Sequence, residues 1–356
     1  MSSQRQIPQL TGVRAPAFVM IFLAHTGYNS YFMWSSVDLY FVLSGFLITG
    51  ILLSQKKDDG FFHIFYTRRF LRIFPPFYAV FILSMLLLDN LSGAQTLAIS
   101  LFVANIYMPF SDLSNVNTSY WALGPYWTLA VEEQFYLLWP LLVFKLRPKQ
   151  LLWVCVCMIV AAPLLRALGY YYLYLTGSAN QQWLFMLPWN RMDLLAAGSA
   201  IAICHHLDLF QKSTMAWCGM VLMGVFGGLI AVSVILLPDF RFSGHTLYFS
   251  TLGLTFFCGL MSGLIMYLAN ATTGPAVKLL SLRPLMYLGT ISYTMYLAHG
   301  VVITLMHERL GVPEGRQLVL SAYAVTVLVS AFSWHALELP IKHLKDRRAR
   351  PREARA

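Results

Sequence analysis

Titratable side chains inside long apolar runs are the residues of this sequence that could do chemistry. An ionisable group within a membrane helix costs on the order of a few kcal/mol, so each one is a candidate functional residue. These positions are His25, Asp38, Glu132, Glu133, Arg166, Arg191, Asp193 and His299.

His25 is suited to act as a general base. A neutral imidazole near a carboxylate can take a proton from a hydroxyl, which is the task of the base in acyl transfer. We expect Asp38, Glu132 or Glu133 to orient the imidazole. Neighbours on a helix point about 100° apart, so only one of the two glutamates should face the pocket. An interhelical hydrogen bond is the structural alternative for His25.

A basic run that contains Arg68, Arg69 and Arg72 is the second candidate feature. On a helix, Arg69 and Arg72 share one face, and paired guanidinium groups suit a phosphate or pyrophosphate. We place this run in a loop on the cytosolic side, where an excess of basic residues has topology as its alternative explanation.

The elements that carry these residues are membrane helices. The sequence is 58% apolar and 11% charged, whereas soluble domains are about 25% charged, so a soluble domain is excluded. Several runs are long enough to cross a hydrocarbon core of roughly 30 Å. We predict an all-α, polytopic bundle of about ten spans: 13–30, 37–54, 76–91, 126–144, 151–169, 186–204, 215–237, 247–269, 285–305 and 317–337.

The distribution of basic residues predicts the orientation of the bundle. With both termini in the cytosol, all but five of the 25 Lys and Arg residues lie on the cytosolic side, as the positive-inside rule requires. A span at 96–110 would break this alternation, so we expect a re-entrant segment or a half-helix there. The topology then gathers most of the titratable groups in a pocket near the outer face.

One membrane domain, residues 1–340, and a basic cytosolic tail, residues 341–356, make up the predicted organisation. We expect the tail to lie against anionic lipid, and the net charge of +10 to reflect membrane topology and not nucleic-acid binding. No cleavable signal peptide is evident at the polar N-terminus. The five cysteines have no disulfide or zinc spacing and are interpreted as small apolar side chains.

Seven segments in order give the chain a resemblance to the acyltransferase-3 family of integral membrane O-acyltransferases. Arg14 and His25 have the family's Arg-x10-His spacing. The other segments are 37–49, the basic run at Arg68, Arg69 and Arg72, 127–140, 191–198, 288–299 and 338–340.

The resemblance implies an acyl-CoA donor, acetyl-CoA in the first place, and a hydroxyl acceptor on a sugar, a polysaccharide or a lipid-linked glycan. It implies that His25 is the catalytic histidine with Arg14 as its motif partner. Arg68, Arg69 and Arg72 would hold the phosphates of CoA, and no metal would take part. We assign Arg191, Asp193, Trp127 and Tyr136 to substrate binding. The location implied is the bacterial inner membrane.

Three positions depart from the family pattern. Ser36 stands where a glycine is frequent, Thr290 where a basic residue is frequent and Ala298 where a tryptophan is frequent. The last two suggest adjustments to the acceptor pocket. Many members also carry an outer hydrolase-like domain, for which we expect no room here, so a second transfer step would need another protein.

Several alternatives stay open at this point. Transfer could be direct or could pass through an acyl-histidine intermediate. Arg191 and Asp193 could pair with each other across a turn and serve structure alone. A transporter or flippase for a glycan or lipid intermediate is the rival function, although the paired, interrupted helices of many transporters are missing. We expect acceptor specificity in the outer loop of residues 170–183. The oligomeric state is left undetermined.

Overall fold

The chain folds into packed helices. The computed structural model describes residues 7–28, 31–89, 91–110, 122–177, 182–237 and 246–348, and these residues contain no strand, which confirms the predicted all-α class. The helices are α1 Pro8–Gly12, α2 Arg14–His25, α3 Tyr31–Trp34, α4 Ser36–Gln55, α5 Phe61–Leu87, α6 Gly93–Ser100, α7 Ala104–Phe110, α8 Tyr126–Lys145, α9 Pro148–Thr176, α10 Gln182–Met186, α11 Pro188–His206, α12 Lys212–Leu236, α13 Leu254–Asn270, α14 Pro275–Leu280, α15 Arg283–Thr304, α16 Arg316–Ser333 and α17 Leu339–Arg348.

Short π-helical segments extend three of these helices. They are Phe249–Gly253 before α13, Leu305–Arg309 after α15 and Trp334–Glu338 after α16. Each continues the helix without a break, so these three helices are longer than their α-helical parts alone.

Seven helices of the described chain are long and apolar enough to cross a membrane, so the chain is a multi-pass membrane protein. They are Phe32–Gln55, Phe61–Leu87, Pro148–Thr176, Lys212–Leu236, Phe249–Asn270, Arg283–Arg309 and Arg316–His343.

Seven helices are fewer than the ten predicted spans. The other three predicted spans correspond to α2, α8 and α11. Helix α2 has 12 residues, whereas a span needs about 20. Helices α8 and α11 have 20 and 19 residues, but they carry the adjacent glutamates and the Arg191–Asp193 segment, which lower their hydropathy.

The predicted loop before α5 is largely helical, which corrects the sequence interpretation. Helix α5 begins at Phe61, directly after Gly60, whose φ of 78° suits glycine. Phe61 and Phe65 are buried in the core, so the first turns of α5 are held by packing. Arg68, Arg69 and Arg72 therefore lie on a helix that is continuous with a span.

Residues 96–110, predicted as a re-entrant segment or half-helix, belong to two short helices, α6 and α7. The helical conformation is interrupted between α6 and α7 at Phe102, whose φ is 55°. The side chains of Asn105 and Gln134 exchange two hydrogen bonds of 3.0 and 2.9 Å, and Gln134 also donates to the carbonyl oxygen of Phe102 at 3.0 Å. The side-chain amide of Gln134, on α8, thus donates to a main-chain oxygen that the interrupted helix leaves free, inside the protein.

Helices α4 and α11 run side by side in close contact because glycines line their interface. A Cβ atom on Gly45 would lie 2.0 Å from the carbonyl oxygen of Leu195, and one on Gly198 would lie 1.9 Å from that of Val42. Small residues permit this close approach of membrane helices. The glycines of two sequence segments, 37–49 and 191–198, therefore have a packing role.

The ends of α4, α8 and α11 meet at one end of the bundle. Lys56 Nζ donates to the carbonyl oxygen of Leu146 at 2.6 Å, and Arg147 and Lys212 follow the ends of α8 and α11. We call this end, marked by Lys56, Arg147 and Lys212, the basic end.

Candidate active site

A cavity of about 610 Å³ runs through the bundle from the basic end. Along α4 its wall extends from Ser54 to Val37, a length of about 25 Å at roughly 1.5 Å per residue. Its charged, imidazole and phenol groups come from seven helices: Arg14, Tyr40, Arg69, Arg72, Glu132, Tyr136, His205, His206, Lys212, Tyr293 and Tyr296. Polar groups line an interior space here, as expected for a site that takes up a polar ligand.

Two of the three arginines predicted to hold phosphate line this cavity. Arg69 and Arg72 face it, whereas Arg68 does not. The guanidinium carbon of Arg69 lies 4.0 Å from the centre of the Tyr136 ring, a cation–π contact. Among the described residues, the buried Nε of Arg69 has no hydrogen-bond partner. This donor and the exposed side chain of Arg72 are therefore available to a ligand.

Glu132 and Arg14 occupy the middle of the cavity. Ser44 Oγ donates to Glu132 Oε1 at 2.6 Å, and Tyr40 Oη donates to the main-chain oxygen of Arg14 at 2.7 Å. Glu133 does not line the cavity. Of the adjacent glutamates, Glu132 is the one that faces this space.

Asp38, Arg191 and Asp193 lie in a different environment, a buried cluster of two ion pairs. Arg191 pairs with Asp38, and Arg166 Nη1 pairs with Asp193 Oδ2 at 2.8 Å. Arg166 also donates to the carbonyl oxygen of Asn190 at 2.6 Å. All four charged side chains are at most 6% exposed. We call this group the ion-pair cluster.

The ion-pair cluster corrects two expectations from the sequence. Arg191 and Asp193 do not pair with each other, because the helix directs them to partners on α4 and α9. Asp38 binds Arg191 instead of a histidine. Neither Arg191, Asp193 nor Trp127 lines the cavity, so of the four residues assigned to substrate binding only Tyr136 does. Trp127 instead lies beside Arg191, and the centre of its ring is 6.0 Å from the guanidinium carbon of Arg191.

Two histidines lie together beyond the inner end of the cavity. The ring centres of His25 and His299 are 4.9 Å apart. His25 Nδ1 lies 2.8 Å from the carbonyl oxygen of Ile21, and His299 Nδ1 lies 2.7 Å from that of Tyr296. A carbonyl oxygen only accepts hydrogen bonds, so Nδ1 carries the proton in each ring and Nε2 of the neutral ring has a free lone pair.

The backbone therefore orients His25, in place of the carboxylate predicted from the sequence. Two of the carboxylates expected to orient His25 bind other side chains. Asp38 pairs with Arg191, and Glu132 accepts a hydrogen bond from Ser44. The tautomer that this geometry fixes leaves Nε2 of His25 able to accept a proton.

His299 is a site residue that the sequence interpretation left out of its assignments. It is fully buried, and its Nε2 has no hydrogen-bond partner within the part of the chain that the structure describes. Its ring centre is 5.4 Å from that of Tyr296, which lines the cavity. A signal was present, because His299 is one of the titratable residues in the apolar runs and ends the segment 288–299.

The histidine pair connects the cavity with the opposite end of the bundle. His25 is the last residue of α2, is half-buried and precedes the exposed Gly27 and Tyr28. His25 does not line the cavity itself. Of the loop predicted to set acceptor specificity, residues 178–181 lie outside the described residues, as do Arg5, Arg241 and residues 349–356 of the predicted tail.

Known proteins resemble this chain over nearly its full length. A family model described as an acyltransferase domain matches residues 7–335. Peptidoglycan O-acetyltransferase OatA of Listeria monocytogenes is 29% identical over 373 residues, which cover 96% of this chain and 56% of that protein. O-acetyltransferase OatA of Staphylococcus aureus is 25% identical over 378 residues, which cover 96% of this chain and 58% of that protein.

The chain spans a little over half the length of these curated relatives. No solved structure matches it.

Proposed function

Since the chain belongs to the acyltransferase family whose model matches residues 7–335, we propose that it is a membrane O-acetyltransferase. It takes an acetyl or other short acyl group from acyl-CoA and transfers it to a hydroxyl of a glycan. The relatives named as peptidoglycan or other O-acetyltransferases support this reaction. The observation that carries it is a cavity with a basic wall that ends beside a histidine pair.

The donor enters from the basic end, which faces the cytosol in this proposal. Basic loops mark the cytosolic side of membrane proteins, and acyl-CoA is a cytosolic anion. Arg69 and Arg72 bind its phosphates, because guanidinium groups match phosphate oxygens in charge and geometry. The acyl-pantetheine arm then extends along α4 toward Tyr296, since that end of the cavity lies next to His299.

His25 Nε2 removes the proton from the acceptor hydroxyl. The hydroxyl oxygen forms a bond to the thioester carbonyl carbon, the carbon–sulfur bond breaks, and the proton passes to the thiolate of CoA. The hydrogen bond from Nδ1 to Ile21 keeps Nε2 unprotonated in the neutral ring. In the two-step alternative, the same nitrogen attacks the thioester and carries the acyl group as an acyl-histidine.

His299 supports His25 in this mechanism. When His25 gains a proton, its Nε2–H becomes a donor, and the buried Nε2 of His299 is a neighbouring acceptor with no other partner among the described residues. Arg14 and Glu132 act from the cavity, where they face the thioester end of the donor.

The acceptor approaches from the end of the bundle opposite the basic end, close to His25. The proposal places this end on the outer side of the bacterial inner membrane, where surface glycans are modified. Peptidoglycan is the first acceptor to test, because the name of the Listeria relative contains it.

Transfer of labelled acetyl from acetyl-CoA to a cell-wall glycan fraction tests the proposal. Membranes would contain the wild type, His25→Ala, the double variant Arg69→Ala with Arg72→Ala, or the control Lys57→Ala, an exposed charge at the basic end outside the cavity. Label should move with the wild type and the control only. Equal transfer by all four proteins would contradict the site, and a wild type that neither transfers label nor binds CoA would favour a transporter.

A further inference from the structure

The cavity has a second basic wall besides the one formed by Arg69 and Arg72. His205, His206 and Lys212 line it, at the end of α11 and the start of α12. We propose that this group, the α11–α12 wall, binds the 3′-phosphate of the CoA donor, while Arg69 and Arg72 bind its pyrophosphate. This inference rests on the proposed function and names the part of the donor that each wall binds.

The position of the α11–α12 wall is fixed by the direction of α11. Helices α4 and α11 run in the same direction, with Asp38 paired to Arg191 near their starts and Thr49 bonded to Ser199 further along, at 2.8 Å. Their last turns therefore lie side by side. His206 is at the same level as Ser54, at the mouth of the cavity.

Arg69 lies deeper in the cavity than this wall. It is eight residues from the start of α5 at Phe61, which is about 12 Å along the helix. Its ring partner, Tyr136, is nine residues from the end of α8 at Lys145, which is about 14 Å. Both distances place Arg69 near the middle of the cavity.

The order of basic groups from mouth to interior matches the order of charges along CoA. The adenosine 3′-phosphate is at one end of the molecule, the pyrophosphate follows, and the uncharged pantetheine arm leads to the thioester. The cavity presents the α11–α12 wall, then Arg69 and Arg72, and then phenol groups such as Tyr40 and Tyr296.

Both walls hold a buried nitrogen without a hydrogen-bond partner among the described residues, His205 Nε2 in one and Arg69 Nε in the other. Arg69 Nε carries a proton, and His205 Nε2 donates when the ring is protonated at that nitrogen. A buried donor without a partner is unfavourable, and a phosphate oxygen would satisfy it. The ring of His205 lies 5.8 Å from that of Phe46 in an edge-to-face contact, so its position is set by packing.

Comparison of acetyl-CoA with 3′-dephospho-acetyl-CoA tests the inference. The ratio of kcat/KM for the two donors would be measured for the wild type and the double variant His206→Ala with Lys212→Ala. The wild type should prefer acetyl-CoA by about tenfold, the effect of one or two charge-assisted bonds. The double variant should lower this ratio to near one, through a higher KM for acetyl-CoA alone.

Two controls separate the two walls. Arg69→Lys should lower kcat/KM for both donors in parallel and leave the ratio unchanged, because both donors contain the pyrophosphate. Lys278→Ala, which removes an exposed charge of α14 outside the cavity, should change neither value. A wild type without preference, or a double variant that keeps the preference, would overturn the inference. A wild type that uses neither donor would instead contradict the proposed function.

Discussion

The ion-pair cluster and the cavity are two charged regions that look alike in the sequence and differ in the structure. In the cluster, Arg166 and Asp193 form an ion pair and are at most 2% exposed. In the cavity, Glu132 accepts a hydrogen bond from Ser44 and Arg69 lies over the ring of Tyr136, and both charged side chains face an open space. On our proposal, a charge in a membrane helix marks a ligand site only where it faces an open space. Where its partner is in place, the charge holds helices together.

The largest expected effect is the loss of stability when one ion pair is broken. Arg166→Met leaves Asp193 buried without a partner, which should lower the free energy of unfolding by about 3–5 kcal/mol. The unfolding temperature of the purified protein in detergent measures this. The double variant Arg166→Met with Asp193→Leu should recover most of the loss, because the uncompensated charge is gone. An unchanged unfolding temperature in Arg166→Met would contradict a structural role for the cluster.

His25→Gln should have the opposite profile, with activity lost and stability kept. Removal of a general base lowers the rate by about 100-fold or more. The unfolding temperature should stay near that of the wild type, since the ring is only half-buried and its hydrogen bond within the described residues is to the main-chain oxygen of Ile21. Full acetyl transfer by His25→Gln would show that the base lies elsewhere.

Substitutions of His299 test the role of the histidine pair and should reduce the rate less than His25→Gln does. His299→Leu removes the acceptor near His25 and should lower kcat about tenfold, the worth of one bond to a charged group. KM for acetyl-CoA should not change, because His299 does not line the cavity. His299→Gln keeps an acceptor oxygen and should recover part of kcat. Equal loss in both variants would indicate a packing role.

The smallest predicted difference separates the adjacent glutamates. Glu132→Gln should raise KM or lower kcat several-fold, about 1 kcal/mol, because Glu132 lines the cavity and binds Ser44. Glu133→Gln should be close to the wild type in acetyl transfer. A larger effect from Glu133 would mean that the wrong face of α8 has been assigned to the site.

Much of this architecture could be predicted from the sequence, because apolar length and helical spacing are local properties. Seven of the ten predicted spans coincide with helices that can cross a membrane. Arg14, Arg69, Arg72, Glu132 and Tyr136 line one cavity, although they lie on three helices. Helix spacing selected Arg69 and Arg72, the position of a titratable group in an apolar run selected Glu132, and the family resemblance supplied Arg14.

The pairing of the charges could not be predicted, because it depends on how the helices rotate against one another. Asp38 and Arg191 are 153 residues apart, and Arg166 and Asp193 are 27 apart. The tautomer of His25 could not be predicted either, because it is set by a hydrogen bond to a main-chain oxygen and not to a side chain.

The central claim is that the cavity charges bind the donor and the cluster charges do not. Titration of the purified protein with acetyl-CoA, with the unfolding temperature as the readout, tests it most directly, since a ligand that binds the folded state raises this temperature. The wild type and the double variant Arg166→Met with Asp193→Leu should both be protected, and Arg69→Ala with Arg72→Ala should not. Equal protection of the arginine variant, or loss of protection in the cluster variant alone, would contradict the account.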